Sequence, residues 1–456
     1  MQAEGEDRYD AVVIGAGPGG SGAAGRLADA GCKVAMVEDE LVGGECPFWA
    51  CIPSKALLRP VEAVGSSRHV AGVEARVASV EDVLDYRDYM NSGLDDTGKA
   101  KAFADRGVDV VRGRGRLDGP DQVAVGDRVL EAERVILATG TTSRVPDLDG
   151  LDAAGYWTNR EATSMSEVPE SAVVLGGGPV GIELAQAMSR LGSSVTLVHS
   201  AERLLAREEP AVGDMLAPLL SEEGIELRLG ARASSVSPGE DGRSIVHLDT
   251  GEEVQGHRIL VAVGREPRTS DLGLDTVGIE PGKRGIEVDE RCRAAEGVYA
   301  IGDVTGVAPF THVASYQARI VCADILGSPR PADYKAVPRV VFCDPEVACV
   351  GLTESQAREK GIDAMTADSD LSATDRTETY GRDLTGGFGV IADSRREVLV
   401  GAWAVGPLAG EWIHQAVLAV KAEVPLGVLR DSMSQFPTFS EILRATVEKL
   451  PAVEHA

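Results

Sequence analysis

The sequence predicts an α/β protein with two Rossmann-like nucleotide-binding domains followed by a C-terminal α+β domain. A glycine-rich strand–loop–helix segment begins near Gly15, and the same pattern recurs near Gly176. After residue 337 the pattern changes to short strand-like runs and amphipathic helices. At 456 residues the chain is too long for a single hydrophobic core, so two to four domains are expected.

Composition and charge exclude several kinds of partner. The chain has 45 basic and 72 acidic residues and a formal net charge of −27. Nucleic acid and anionic membrane both bind clustered Lys and Arg, so we expect neither as a partner. No apolar run approaches the length of a membrane span, and residues 1–10 lack the pattern of a signal peptide. We therefore expect a cytoplasmic protein that acts on a small molecule.

The first glycine-rich segment is a complete dinucleotide fingerprint. An apolar strand leads into Gly15, Gly17 and Gly20 with G-x-G-x-x-G spacing. A helix of small residues follows, and a second strand ends at Glu38. The glycines allow the backbone to approach a pyrophosphate at the helix N-terminus, and the acid can accept a hydrogen bond from a ribose hydroxyl. This order of elements predicts a nucleotide site.

The second fingerprint repeats the glycines but lacks the acid. Its second strand ends at His199 and Ser200, where the first copy has Glu38. Without that acid a 2′-phosphate is not repelled, and Arg203 and Arg207 could bind it, so we expect NADPH rather than NADH. The alternative is that both arginines are solvated helix charges. The residues assigned to this site are Gly176, Gly178, Gly181, His199, Ser200, Arg203, Arg207 and Gly264.

Apolar strands between and after the fingerprints end in residues suited to ligand binding. One strand leads into Thr139 and Gly140, a similar one ends at Gly264, and a third leads into Gly302 and Asp303. An acid at the C-terminal end of a parallel strand lies where α/β sheets bind ligands. We assign Thr139, Gly140 and Asp303 to the first nucleotide site. Two sites imply two nucleotides, a tightly held flavin dinucleotide and a diffusible nicotinamide.

Two of the seven cysteines, Cys46 and Cys51, stand in a special setting. A Gly-Gly pair precedes them and a Pro-Ser-Lys sequence follows. Cys51 and Lys55 share a helix face, where the cation favours the reactive thiolate. A disulfide that closes so short a loop adds little stability, so we predict a redox role over a structural one. A metal site is disfavoured because this segment offers only two potential metal ligands, the two cysteines.

The other five cysteines lie in apolar or mixed surroundings in the sequence. Buried, inert thiols are expected for Cys32, Cys292, Cys322, Cys343 and Cys349.

Together these motifs resemble the pyridine nucleotide–disulfide oxidoreductases, a family that includes dihydrolipoamide dehydrogenase, glutathione reductase and mercuric reductase. The match runs from residue 10 to 442 in the family's order. It includes the two fingerprints, the C-x4-C-x2-P-S-K segment, residues 138–140, residues 302–303, and the segments 342–346 and 350–354. The resemblance implies an FAD-binding domain (1–150), an NAD(P)-binding domain (151–267), a central segment that completes the FAD domain (268–336), and a dimer-interface domain (337–456).

The resemblance also implies roles for individual residues. Cys51 would lie against the flavin as the charge-transfer thiolate, and Cys46 would be the interchange thiol that meets substrate. Lys55 would lie near the flavin, paired with Glu183. The cofactors would be FAD and NADPH or NADH, and the protein would be a homodimer whose active site is shared between subunits.

One position departs from the family pattern. Disulfide reductases of this family carry a histidine before the Pro-Thr near the C-terminus and a glutamate five residues later, which act together as acid and base. Here Phe436 occupies the histidine position and Glu441 is retained. A phenyl ring cannot transfer a proton, so ordinary dithiol exchange should be impaired at this site.

Three explanations for Phe436 remain open. His414 could replace the missing base. The substrate could need no base, as in the mercuric reductases, which share the run 183–187 but carry a C-terminal cysteine pair that this chain lacks. A proton donor could also be excluded, as in the 2-ketopropyl-coenzyme M oxidoreductase/carboxylase branch, which has Phe here but a histidine in place of Glu441 and no counterpart of residues 54–55.

We therefore predict an FAD-dependent NAD(P)H oxidoreductase that reduces an unidentified acceptor through a Cys46–Cys51 disulfide. One alternative passes electrons directly from flavin to a quinone, O₂ or another nicotinamide, with the cysteines as bystanders. Another attacks an electrophilic carbon or thioether through Cys46. A non-enzymatic nucleotide sensor is a further alternative. Phe48 and Trp49, between the cysteines, could form an apolar wall beside Cys46 or serve packing alone.

Overall fold

The computed structural model of the chain describes residues 7–382 and 384–451. These residues divide into two compact units. The first unit comprises the chain up to Pro53 together with Tyr86–Arg144 and Gly264–Asp333. The second comprises Ser54–Asp85, Val145–Val263 and the chain from Tyr334 onward.

In chain order the strands are β1 (Arg8–Ile14), β2 (Val34–Glu38), β3 (Val108–Arg112), β4 (Gly115–Leu117), β5 (Gln122–Val125), β6 (Arg128–Leu137), β7 (Thr141–Ser143), β8 (Ser171–Leu175), β9 (Ser194–His199), β10 (Glu226–Leu229), β11 (Ala233–Pro238), β12 (Ser244–Leu248), β13 (Glu253–Gly256), β14 (Arg258–Val261), β15 (Arg265–Pro267), β16 (Arg293–Ala295), β17 (Val298–Ala300), β18 (Pro338–Val341), β19 (Glu346–Gly351), β20 (Ala364–Asp370), β21 (Gly387–Asp393) and β22 (Val398–Gly406).

The α-helices are α1 (Pro18–Asp29), α2 (Glu45–Trp49), α3 (Cys51–Ser67), α4 (Val80–Met90), α5 (Thr97–Ala104), α6 (Leu151–Ala154), α7 (Asn159–Thr163), α8 (Pro179–Arg190), α9 (Pro210–Glu222), α10 (Thr311–Ile325), α11 (Glu354–Glu359), α12 (Asp375–Tyr380), α13 (Ala409–Trp412), α14 (His414–Ala422), α15 (Leu426–Arg430) and α16 (Glu441–Val447). Among the helices of the described residues, none has the length and apolar character needed to cross a membrane.

The first unit is built on one eight-stranded sheet. Six strands lie in the order β16-β17-β6-β1-β2-β3. The sheet is extended by β5, which pairs with β6, and by β4, which pairs with β5. β1 is parallel to both neighbours, with Val12 opposite Ala35 of β2 and Val135 of β6. The strand before Thr139 is therefore part of the first sheet.

Both faces of this sheet are covered, which explains the apolar runs in its central parallel strands. Successive side chains of β1 point to opposite faces, so Val12 and Ile14 enter one core cluster while Ala11 and Val13 enter another. On the second face α1 packs against α10. Close packing needs small residues, since a Cβ at Gly19 would lie 3.3 Å from Ala314 Cβ.

The second unit contains three sheets. A parallel sheet with the order β10-β9-β8-β14 carries the second fingerprint, and an antiparallel sheet of β11, β12 and β13 follows it. Beyond residue 337 an antiparallel sheet runs β18-β19-β22-β21-β20, and α14 and α16 pack on it around one hydrophobic cluster. The architecture confirms the predicted α/β class, with two Rossmann-like sheets and a C-terminal α+β fold.

One cysteine differs from its prediction. Cys292, Cys322, Cys343 and Cys349 are buried, but Cys32 is only partly buried. It follows the turn at the end of α1, where the chain leaves the core for the surface. The helix end, which the apolar surroundings in the sequence did not reveal, explains the difference.

A buried ion-pair network within the second unit centres on Arg190, the last residue of α8. Its side chain is 6% exposed and donates from Nε to Glu223 and from Nη1 to Asp344, at 2.9 and 2.8 Å. Nη1 also donates to the carbonyl oxygen of Val61 at 3.1 Å. Removing a guanidinium from such a site leaves poorly hydrated carboxylates without a counterion.

We therefore expect Arg190→Gln to lower the free energy of unfolding by about 3 kcal/mol, because it breaks a buried pair without removing its acids. Urea denaturation followed by circular dichroism measures this loss. Arg444 forms an exposed pair with Glu448 on α16, so Arg444→Gln is the matched control and should cost less than about 0.5 kcal/mol. Equal stability of the two variants would contradict a structural role for the network.

Candidate active site

The first fingerprint forms a loop with no room for side chains. Gly15 has φ +101°, and a Cβ there would lie 2.4 Å from the oxygen of Ala138. A Cβ at Gly20 would lie 1.9 Å from the oxygen of Gly15. Gly17 caps α1, and Pro18 occupies the first helical position, where its missing N–H costs nothing. The backbone N–H groups at the start of α1 are thus exposed to an approaching pyrophosphate.

The segment that carries the cysteines begins beside this loop. Gly44 has φ +68°, and a Cβ there would lie 2.7 Å from the Cα of Gly17. Helix α2 starts at the next residue, Glu45, and contains Cys46. The close approach of two glycines therefore places the predicted interchange thiol next to the predicted pyrophosphate site.

Glu38 lies at the end of β2 on the other side of the fingerprint loop. Its carboxylate accepts hydrogen bonds from the backbone N–H of Ala16 at 2.7 Å and of Glu40 at 2.9 Å. Burial raises the pKa of Glu38, while these two bonds act in the opposite direction. The acid is therefore held rigidly where the sequence places a ribose contact.

Asp303, predicted for the same site, lies in a 3₁₀ turn after β17. Its Oδ2 accepts a hydrogen bond from Thr141 Oγ1 at 3.0 Å. Burial raises its pKa, and Thr141 and Arg265 oppose that shift. Thr139 donates through Oγ1 to the carbonyl oxygen of Arg268 at 2.8 Å. The structure thus brings Asp303 together with the residues after β6, while Gly140 turns the chain with φ +70°.

These features fit an FAD. The glycine cradle leaves space for a pyrophosphate. Glu38, which is buried, and Asp303, which is partly buried, supply carboxylates after β2 and β17, two parallel strands of the same sheet that are separated by β6 and β1. Ligands of doubly wound sheets bind at that edge. Hydroxyl-rich groups, such as a ribose or a ribityl chain, can donate hydrogen bonds to such acids.

Cys46 and Cys51 occupy two successive helices. Both are partly exposed, and Ala50 separates α2 from α3, whose first residue is Cys51. The Cys51 sulfur lies 3.5 Å from the Thr311 hydroxyl, and Thr311 is the first residue of α10. Sequence reasoning missed Thr311, because residues 51 and 311 meet only in the folded sheet. Its one available signal was its position at the start of a helix shortly after Asp303.

The two aromatic residues between the cysteines differ in setting. Phe48 is fully buried, and the Lys99 ammonium lies 4.5 Å from its ring centroid. Trp49 is partly exposed, with its ring 5.8 Å from that of Phe48. The packing interpretation therefore holds for Phe48, and only Trp49 could meet a substrate.

The second fingerprint repeats the geometry of the first within the second unit. A Cβ at Gly181 would lie 1.9 Å from the oxygen of Gly176, and Gly176 itself has φ +121°. Gly178 caps α8 and Pro179 begins it. Gly264 follows the neighbouring strand with φ +130°. The same backbone conformation of a glycine-rich loop therefore occurs twice in the chain.

His199 and Arg203 lie close to this loop but differ in environment. A Cβ at Gly177 would lie 2.8 Å from His199 Cδ2, and His199 Nε2 is buried without a hydrogen-bond partner among the described residues. Burial lowers the pKa of His199, which favours a neutral ring. Arg203 is half-exposed, pairs with Asp214 at 2.7 Å and lines a cavity of about 230 Å³. Ser200 and Arg207 are exposed.

Lys55 and Glu183 form a close pair in the second unit. Lys55 Nζ lies 2.7 Å from Glu183 Oε2, and the glutamate is almost fully buried. Glu183 Oε1 accepts the backbone N–H of Phe342 at 2.9 Å. The ring centroid of Phe342 lies 4.6 Å from Lys55 Nζ. Glu183 and Phe342 therefore occupy two sides of the Lys55 ammonium. The contact with Glu183 was predicted from the sequence, and the contact with Phe342 was not.

Phe436 is 70% exposed, an unusual setting for a large apolar side chain. Glu441 begins α16, and its Oε2 accepts the backbone N–H of Thr438 at 2.9 Å. His414, the candidate replacement base, is exposed at the start of α14. A phenyl ring thus lies at the surface where the family pattern has its histidine.

The contact with Thr311 predicts an effect on Cys51 reactivity. In a Cys46→Ser background, Thr311→Val should slow alkylation of Cys51 by iodoacetamide about three-fold at neutral pH, because the thiolate loses a hydrogen-bond donor. Thr311→Ser keeps the hydroxyl and is the matched control. An alkylation rate unchanged by the valine would rule out this hydrogen bond.

Comparison with known proteins identifies the family. Residues 9–318 match the family described as "Pyridine nucleotide-disulphide oxidoreductase", and residues 337–447 match its dimerisation domain. The chain is 35% identical over 463 residues to a dihydrolipoyl dehydrogenase of Halobacterium salinarum, a match that covers 98% of this chain and 96% of the relative. It is 32% identical over 458 residues to a mercuric reductase of Bacillus cereus, covering 97% and 72%.

Solved structures of two related proteins superpose on nearly the whole chain. The Cu(II) complex of the HOCl-induced flavoprotein disulfide reductase RclA from Escherichia coli has a TM-score of 0.86 at 29% identity, covering 97% of this chain and 99% of RclA. LpdA from Mycobacterium tuberculosis has a TM-score of 0.85 at 27% identity, covering 96% and 99%. The chain belongs to the class I pyridine nucleotide–disulphide oxidoreductases and is an FAD-dependent enzyme of that family.

Proposed function

We propose that the enzyme passes electrons from NADPH through FAD to a Cys46–Cys51 disulfide, and from the dithiol to a small-molecule acceptor, without a histidine base. The proposal depends mainly on the placement of the cysteines. Cys46 lies two residues after Gly44, which contacts the fingerprint loop. Cys51 is the first residue of α3, and its sulfur lies 3.5 Å from the hydroxyl of Thr311. This setting favours a thiolate at Cys51.

The proposed domains assign one cofactor to each fingerprint. Residues 1–150 and 268–336 bind FAD, residues 151–267 bind the nicotinamide nucleotide, and residues 337–456 form a homodimer interface. FAD held there would supply the redox chemistry that links hydride transfer from the nicotinamide to two-electron reduction of the disulfide. The balanced step consumes NADPH, one proton and the disulfide, and yields NADP⁺ and two thiols.

We assign to Lys55 the role of a positive charge in this chemistry. Its ammonium is oriented by the Glu183 carboxylate and the face of Phe342, so its position does not depend on a flexible side chain alone. Because Glu183 also accepts the Phe342 N–H, a change at either residue affects both contacts. We assign Lys55 to the catalytic centre and Glu183 to its positioning.

Three observations support NADPH over NADH. The second fingerprint has His199 where the first has Glu38, and burial favours the neutral imidazole, so no anion repels a 2′-phosphate. Arg207 is exposed and forms no ion pair within residues 7–382 and 384–451. Arg203 is held by an exposed pair with Asp214, which a phosphate can displace at little cost.

The exposed Phe436 defines the unusual step. Glu441 remains, but its carboxylate accepts a backbone N–H and has no imidazole to orient. After reduction, Cys46 must therefore react with an acceptor that needs no proton relay at this position. The same observation favours two alternatives, direct reduction of a quinone or O₂ by the flavin, and attack of Cys46 on an electrophilic carbon or thioether.

Anaerobic titration with NADPH and NADH in parallel tests this route. NADPH should reduce the enzyme at lower concentration and produce the long-wavelength absorbance of a thiolate beside oxidised flavin. Cys46→Ser should lose acceptor reduction but keep reduction of the flavin. Absence of the absorbance together with full activity of Cys46→Ser would refute the disulfide route, and equal reduction by both nucleotides would refute the NADPH preference.

Restoring the base tests the role of Phe436. Phe436→His should accelerate exchange with dihydrolipoamide about 100-fold, because general acid–base catalysis contributes roughly this much. The added rate should follow the titration of an imidazole between pH 5 and 8. Phe436→Gln is polar but cannot transfer a proton, so it is the control. If glutamine accelerates exchange as much as histidine, the missing base does not limit the reaction.

A further inference from the structure

We propose that Arg265 and Arg268 form the cationic side of the subsite for the FAD pyrophosphate, with Glu45 as the internal counterion that holds them there. Neither arginine was identified from the sequence. The inference rests on the FAD site of the proposed function and adds two residues that recognise the cofactor's charge.

Backbone contacts anchor both arginines to the predicted FAD site. Strand β15, which begins with Arg265, pairs antiparallel with β7, and Arg265 lies opposite Ser143. The backbone N–H of Arg268 donates to the oxygen of Gly140 at 3.0 Å, and Thr139 donates to the oxygen of Arg268 at 2.8 Å. The two side chains therefore start from the loop that follows β6.

Arg265 is further oriented by Thr141. Its Nε donates to Thr141 Oγ1 at 2.8 Å and its Nη2 to the Thr141 oxygen at 2.9 Å. The same hydroxyl donates to Asp303 at 3.0 Å. A guanidinium has five N–H donors in a rigid plane, and these two bonds fix the orientation of that plane.

Glu45 brings the arginines to the fingerprint loop. The Glu45 carboxylate lies 3.4 Å from the Arg268 guanidinium and 3.8 Å from the Arg265 guanidinium. Along the chain, Glu45 directly follows Gly44, which packs on Gly17. Charge-assisted N–H···O bonds are typically about 2.7–2.9 Å, so both pairs are loose. The guanidinium groups can therefore turn toward a second anion without losing Glu45.

The charge balance at this edge requires such cations. Glu38, Glu40, Glu45 and Asp303 all lie here, and Arg268 also contacts Glu40 at 3.3 Å. A pyrophosphate adds two negative charges, and the fingerprint glycines supply N–H donors but no full charge. Arg112, at the end of β3, is already paired with Asp96 at 2.7 Å. Arg265 and Arg268 are the cations that the structure places among these acids.

Binding of FAD to the deflavinated full-length chain tests the proposal, with quenching of flavin fluorescence as the measurement. Arg268→Gln should weaken FAD binding about ten-fold, the loss expected for one hydrogen bond to a charged group. Glu45→Gln should tighten binding about three-fold, because it removes a negative charge beside the pyrophosphate. Arg444→Gln is the control and should change nothing. Thermal unfolding of each variant checks that the fold is retained.

The opposite signs separate charge recognition from structural support. If Glu45→Gln binds FAD no more tightly than the wild type, the cluster only braces the loop and the proposal is overturned. Unchanged binding by Arg268→Gln also overturns it, and both outcomes leave the proposed function intact. A wild-type chain that binds no FAD would overturn the proposed function and this inference together.

Discussion

The structure of the candidate active site depends on the contact between Gly44 and Gly17. A side chain at residue 44 would overlap the backbone of Gly17, so only glycine allows the cysteine segment to begin beside the fingerprint loop. The following helix, α2, inherits this position and carries Cys46 with it. The predicted interchange thiol and the predicted pyrophosphate loop, which are separated by about 30 positions, are thereby held close together.

Charge is arranged around that contact in small balanced groups. Glu38 is buried and Asp303 is partly buried, and for both acids desolvation raises the pKa while hydrogen bonds oppose that shift. Elsewhere, Lys55 is balanced by Glu183, and Arg190 by Glu223 and Asp344. The chain has a net charge of −27, so the proposed binding of anionic dinucleotides depends on where its few cations are placed rather than on its overall charge.

Phe436, in place of the histidine of the family pattern, separates two stages of the proposed route. In that route, reduction of the disulfide would depend on residues near the fingerprint loop and α10, whereas proton transfer to an acceptor would depend on the C-terminal segment. The first set of residues is present, and the second has lost its proton-transfer group while keeping Glu441. We infer that the enzyme keeps the residues for reduction of the disulfide and differs from the family pattern in how the dithiol passes its electrons to an acceptor.

The sequence by itself determined the fold class, both nucleotide fingerprints, the cysteine segment and the Phe436 departure. Each of these is local: glycine spacing, apolar strands and Cys-x4-Cys spacing constrain the backbone within a few residues. Only the tertiary structure decided that Thr311 meets Cys51, that Phe342 covers Lys55, and that Arg265 and Arg268 flank Glu45. These partners lie from about 220 to 290 positions apart along the chain. Sheet pairing and helix packing bring them together, and no local pattern encodes such contacts.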